Sequence, residues 1–225
     1  PAVLPSKKGL NRFTWDFNRE DLPAVEKVFV YGDYYGGAVG PGRYTLRLRL
    51  EADSVETDVT LMPDPRIHAA ASDYADQQEI LKNITNLITD IHESVNDMRS
   101  AKEQLIAYQK LLADNEAAKA LVDSASAIEQ RINAWEAQLI QPNQKTFQDV
   151  INFHNKLNAH LMNLKQYIDA ADPRVTTGAK ERLSDLQDQW GKYDEERQVI
   201  INQDMAAFNA MYHAAGLPVI VVPER

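Results

Sequence analysis

At neutral pH, the side chains here best suited to bind a metal or move a proton are five histidines, His68, His92, His154, His160 and His213. A di-metal centre built between helices takes glutamates and a Glu-x-x-His pair, because the ligands must point inward one turn apart. No histidine in the chain has Asp or Glu three residues before it. His154 alone falls on an apolar helical seam, where a single histidine reads as a hydrogen-bonded core residue. The chain has no cysteine, which removes disulfides, thiolate ligands and a cysteine nucleophile. Gly-x-Ser-x-Gly, phosphate-loop and dinucleotide patterns are also missing. No catalytic residue, metal site or cofactor is assigned, and the chain is not expected to act as an enzyme by itself.

Two groups of residues stay open to a binding role. Tyr31, Asp33, Tyr34 and Tyr35 lie in the glycine-rich run Tyr31-Gly32-Asp33-Tyr34-Tyr35-Gly36-Gly37. Aromatic faces stack on sugar rings or on a protein surface, and an adjacent carboxylate can orient hydroxyls. The same tyrosines would serve equally to cover a sheet edge or dock onto a helix. Arg197 and Asp204 stand seven residues apart on one helical seam. They read as a buried polar pair, as a small polar site, or as a seam that has reached solvent.

The elements that must position these residues divide near residue 65. Upstream, Tyr44, Leu46, Leu48 and Leu50 alternate with Thr45, Arg47 and Arg49, and a second alternating run spans 55–61. Period two puts one set of side chains on each face of a strand, so the pair predicts a hairpin. Phe13, Trp15 and Phe17 alternate likewise, and residues 27–31 suggest a fourth strand. Met62-Pro63-Asp64-Pro65 closes this region, since proline cannot donate to a ladder. Downstream, four helices are predicted over 72–113, 116–140, 145–170 and 178–215. Their apolar seams have spacings of three and four, and short breaks at Pro142 and Pro173 imply antiparallel neighbours. The expected fold class is α+β: a partial Ig/fibronectin-like antiparallel sandwich over 1–66, then an elongated up-down-up-down four-helix bundle over 67–225. Residues 219–222, β-branched throughout, form a candidate strand to cover an open sheet edge.

Net charge is −9. Residues 1–67 carry 9 Lys/Arg against 10 Asp/Glu, and residues 68–225 carry 15 against 23. An acidic helical part does not neutralise phosphates, so a nucleic-acid partner is not expected. No apolar run approaches the roughly 18 residues of a membrane span.

Three motifs in order carry a resemblance. Gly9-Leu10-Asn11-Arg12-Phe13-Thr14-Trp15-Asp16-Phe17, Gly40-Pro41-Gly42-Arg43-Tyr44-Thr45-Leu46-Arg47-Leu48 and Asp64-Pro65-Arg66 resemble the C-terminal region of bacterial sortilin-like, BNR-repeat β-propeller proteins, often labelled glycosyl hydrolases. The late Asn209 and the stop at Gly216-Leu217-Pro218 are similar too. The first two motifs also resemble the Ig-like domain of flagellar hook-capping proteins. Phe17-Asn18-Arg19-Glu20 departs from the Leu-Arg-Tyr expected after Trp-Asp. The resemblance implies a periplasmic or extracellular protein with a β-propeller upstream in the same polypeptide. This chain would then be a non-catalytic accessory module for protein contact or self-association. The alternative it implies is the carbohydrate-binding part of a glycoside hydrolase, with sugar contacts from residues 31–35.

Overall fold

A computed structural model describes residues 4, 7–30 and 32–217. The fold class is α+β. Strands β1 (Gly42–Leu50) and β2 (Asp53–Leu61) form a two-stranded antiparallel sheet. The helices are α1 (Ala71–Leu112), α2 (Lys119–Leu139), α3 (Leu157–Ile168), α4 (Thr177–Val199) and α5 (Ala206–Ala214). A π-helical turn, Ile200–Met205, joins α4 to α5 without a break.

The α1 seam behaves as its spacing predicts: Leu81, Ile84, Ile88, Ile91, Val95 and Met98 are all buried. At 42 residues, α1 is about 63 Å long, and no other element matches that length alone. α2 runs antiparallel along its C-terminal half, where Arg99 bonds Glu136 and Gln109 bonds Glu129. α3 covers the N-terminal half in the same direction as α2, ending where Gln77 Nε2 donates to the Ile168 carbonyl at 2.7 Å. α4 and α5 return parallel to α1, from the Lys180–Asp76 pair to the Tyr108 and Tyr212 rings 5.1 Å apart. The four helical segments therefore make three columns: α1, then α2 with α3 in tandem, then α4 with α5. The up-down-up-down order expected from short connections is not what forms.

The reason lies in residues 140–156. A continuous third helix was expected from 145, yet a 3-10 turn, Phe147–Ile151, and an extended stretch precede α3. Asp149 caps the turn through the Thr146 N–H at 2.8 Å. Two buried glutamines satisfy the non-helical carbonyls that follow. Gln141 Nε2 donates to the His154 carbonyl at 2.9 Å, and Gln144 Nε2 to that of Phe153 at 3.1 Å. With those backbone groups paired, the stretch gains little from becoming helix. It carries the chain onward and does not reverse it.

The π turn has a similar effect on the last column. A wide turn adds one residue and rotates the seam. Ala207 and Met211, expected inward, are exposed, and Phe208 and Tyr212 are buried in their place.

The β region departs furthest from expectation. Among the described residues only β1 and β2 pair as a sheet, and neither 13–17 nor 27–30 forms a strand. An Ig-like sandwich is not present in them. Residues 219–222, the candidate edge cover, lie outside the described residues. Residues 17–39 instead form a long loop laid along α1 and α3. Three backbone bonds close its limbs: Arg19 to Gly37, Leu22 to Tyr34, and Val39 to Phe17. Gly36 sits where they cross, and a Cβ there would meet the Glu20 carbonyl oxygen at 2.3 Å. Leu22, Val25 and Val30 enter the helical core, so the core extends across the expected boundary at residue 66.

Asp-Pro-Arg occurs twice, at 64–66 and 172–174, shortly before α1 and α4. Each arginine folds back on its own aspartate, Arg66 Nη2 reaching Asp64 at 2.6 Å and Arg174 Nε reaching Asp172 at 2.8 Å. The guanidinium and backbone N–H bonds hold both carboxyls down at about 2.

Trp135 is fully buried, and its indole N–H donates to the Tyr193 carbonyl at 2.8 Å. Trp135→Ala should cost about 3–5 kcal/mol, the range for large-to-small core changes. Trp135→Phe, which keeps most of the volume but loses the bond, should cost less. Denaturant midpoints of both variants check the order; equal losses would show that the hydrogen bond outweighs the packing.

Candidate functional site

Of residues 31–35, Tyr31 lies outside the described residues. The other three point different ways. Asp33 accepts a bond from Lys165 Nζ at 3.1 Å, and the same ammonium donates to the Tyr35 carbonyl. Lys165 is only 2% exposed. A buried lysine is costly unless paired and hydrogen-bonded, so Asp33 and the Tyr35 carbonyl answer a charge already present on α3. Tyr34 is half-buried against His92, ring centroids 5.8 Å apart, and burial pushes its hydroxyl pKa up. Tyr35 alone faces solvent, at 57%. Together they clamp the loop to the helices and form no stacking platform.

The loop is held largely through its backbone. His92, Asn96 and Arg99 occupy one stripe of α1, spaced by four and three. His92 Nδ1–H donates to the Pro23 carbonyl at 2.7 Å, Asn96 Nδ2 to that of Ala24 at 3.2 Å, and Arg99 Nη1 to that of Glu26 at 2.6 Å. At the other end, Asp169 accepts the Ala38 N–H at 3.1 Å and Gln78 donates to its carbonyl at 3.1 Å. A helical stripe of donors thus pairs loop carbonyls that no ladder satisfies. Sequence reading missed His92 and favoured His154, which is exposed in the extended stretch before α3. The signal was available: His92 follows Ile91 and precedes Val95 and Asn96, beside the apolar seam.

Arg197 and Asp204 do not pair. Arg197 bonds Asp194 one turn back, Nη2 to Oδ1 2.5 Å, and Asp204 bonds Arg131 of α2. The π turn between them rotates Asp204 off the face that carries Arg197. Arg197 borders an open cleft of about 320 Å³ between α1 and α4, lined also by Asp90, Glu93, Asp97 and Trp190. It is polar and shallow, with Asp194 already answering the arginine. Among the described residues, no group of three or more His, Asp or Glu converges to hold a metal. No helix among them is long and apolar enough to cross a membrane.

The hairpin carries an uncovered apolar face. The register pairs Tyr44 with Val59, Leu46 with Thr57, Leu48 with Val55 and Leu50 with Asp53. These share one face, and Leu46, Leu48, Leu50 and Val55 are 42, 52, 70 and 66% exposed. Only the base is covered, where the Trp15 ring meets Tyr44 edge-on at 5.6 Å and Phe17 at 4.9 Å. The other face carries Arg43–Asp58 and Arg47–Glu56 ion pairs. A two-stranded hairpin is marginal alone in water, and one with an apolar face is a contact surface. No family model, no curated protein and no solved structure matches this chain.

Two predictions test the clamp. Lys165→Met, which keeps the stem and removes the ammonium, should speed proteolytic cleavage within 17–39 while leaving helix content unchanged by circular dichroism; unchanged cleavage would show the clamp to be idle. Burial pushes the His92 pKa below its ordinary 6.5, the Pro23 bond opposing in part, and burial followed by the nearby Arg182 lowers His160 also. Both are neutral in the fold, so the unfolded chain binds more protons just below pH 6.5. Stability should be level above about 6.5 and fall as pH drops through that value toward the folded pKa. His92→Asn should flatten that slope in denaturant midpoints taken from pH 7.5 to 5, the residual slope belonging to His160.

Proposed function

We propose that this chain is a non-catalytic accessory module of a larger periplasmic or extracellular protein, and that the hairpin is the face it presents to a β-rich domain of the same polypeptide. The single observation that carries the reading is the apolar face of β1 and β2, exposed along its length beyond Tyr44. The helical body supports the reading by its plainness: many of its polar side chains hold its own backbone, and its clefts are open to solvent. Two of the three motifs that resemble sortilin-like propeller proteins fall on β1 and on the segment stacked at its base, which is where such a domain would meet it. The Ig-like reading stands as a part of this proposal: the hairpin is a fragment of a sandwich whose remaining strands come from outside the described residues. The carbohydrate reading is the weaker one, because Asp33 and Tyr34 are occupied in the loop clamp, which leaves Tyr35 as the exposed ring among the described residues of this site.

The chain has no cysteine, so single-cysteine variants report cleanly. Leu48→Cys and Val55→Cys should react quickly with a maleimide in this chain alone. Within the longest reading frame that contains the chain, both should react at least about tenfold more slowly, as for groups taken from the surface into an interface core. Equal rates in the two contexts would remove the docking proposal.

A further inference from the structure

The hairpin offers edges as well as a face, and the two edges are chemically opposite. A two-residue turn, Glu51-Ala52, joins Leu50 to its partner Asp53, with Glu51 at φ +52°. In such a hairpin the closing pair exchanges backbone bonds, and bonded and non-bonded pairs then alternate along the ladder. Tyr44, Leu46, Leu48 and Leu50 therefore turn their N–H and C=O groups toward β2. Arg43, Thr45, Arg47 and Arg49 turn theirs outward. On β2 the outward set is Ser54, Glu56, Asp58 and Thr60. Each strand runs nine residues with no proline within it, and among the described residues no further strand pairs with either edge, so both present backbone groups of the kind that template another strand.

We propose that the outer edge of β1 accepts a further strand, and that the strand alternates apolar with acidic residues. This deepens the docking reading and rests on it. The charge pattern selects the occupant. The side chains that flank the outward backbone groups of β1 are three arginines and a threonine; Arg49 stands opposite Ser54, and no ion pair is seen for it among the described residues. A strand with carboxylates opposite these positions gains cross-strand attraction, and its apolar residues extend the face of Leu46, Leu48 and Leu50. The same pattern disfavours a symmetric pair of copies. Two β1 edges would set arginines against arginines, and two β2 edges would set Glu56 and Asp58 against their equivalents. Like charges directly opposite destabilise a ladder. The open edge and the uncovered face thus call for one solution, a sheet continued from β1 by a different, acidic strand.

The test is a tethered probe. A nine-residue segment alternating valine and glutamate is fused to the N-terminus of the full chain through a flexible Gly/Ser linker, which raises its effective concentration to the millimolar range or about that. Amide exchange is read residue by residue by NMR. The Thr45, Arg47 and Arg49 amides should slow at least about tenfold, while those of Ser54, Glu56, Asp58 and Thr60 keep their rates. A valine–lysine probe should protect the β1 set less. Thr45→Pro with Arg49→Pro removes two outward N–H groups without touching the β1–β2 ladder, as proline is tolerated on an edge, and should abolish the protection of Arg47. Ser54→Pro with Thr60→Pro should leave the protection of Thr45, Arg47 and Arg49 intact. Protection of the β2 set, equal protection by both probes, or none overturns the proposal. Concentration-dependent dimerisation of the unfused chain that protects β1 also overturns it, since the occupant is then a second copy. If β1 amides stay fast in the longer polypeptide while Leu48→Cys and Val55→Cys are shielded there, strand addition fails and docking of the face survives.

Discussion

The uninterrupted apolar stripe of α1 is the constraint on which the rest of the structure depends. The buried apolar side chains of α1 run from Leu81 to Leu112, about 47 Å of helix, and no other helix is long enough to cover them alone. α2 and α3 divide the work end to end, α4 and α5 cover a second side through a π turn, and loop 17–39 lies along α1 and α3. Each element is shaped by where α1 needs cover. That accounts for a long loop whose described residues place Leu22, Val25 and Val30 in the core.

Polar side chains solve the problem that this cover creates. An extended loop pressed on helices presents carbonyls that no ladder satisfies. His92, Asn96, Arg99, Gln78 and Lys165 donate to them, and Gln141 and Gln144 do the same between α2 and α3. Residues that look like candidates for chemistry are thereby committed to the backbone. The buried lysine is the strongest case: its charge is matched by Asp33 and a carbonyl, and the tyrosine-rich loop is organised around it.

The hairpin stands outside this economy of cover. Its polar face carries the Arg43–Asp58 and Arg47–Glu56 pairs and its base is capped by Trp15. Among the described residues nothing else covers its apolar face, in contrast to the closely packed helical body.

The amino-acid sequence by itself determined what depends on local period and on covalent geometry. The seams of α1 and α2, the β1–β2 hairpin, and the ends of helices near Pro142, Pro173 and Gly216 were legible because each follows from side-chain alternation or from backbone restriction within a few residues. Tertiary structure decided the rest. Phe13, Trp15 and Phe17 alternate like a strand but find no neighbouring ladder: Trp15 packs on Tyr44 and Phe17 on Trp15, while Phe13 stays exposed. Residues 145–156 have helical spacing, yet Gln141 and Gln144 make their extended form the satisfied one. The direction of α3, the burial of Lys165 and His92, and the separation of Arg197 from Asp204 all depend on which distant surface each residue meets. A one-residue insertion such as the π turn moves a whole seam without leaving a mark in the spacing before it. Periodicity states which face a residue is on; only packing states what that face will meet.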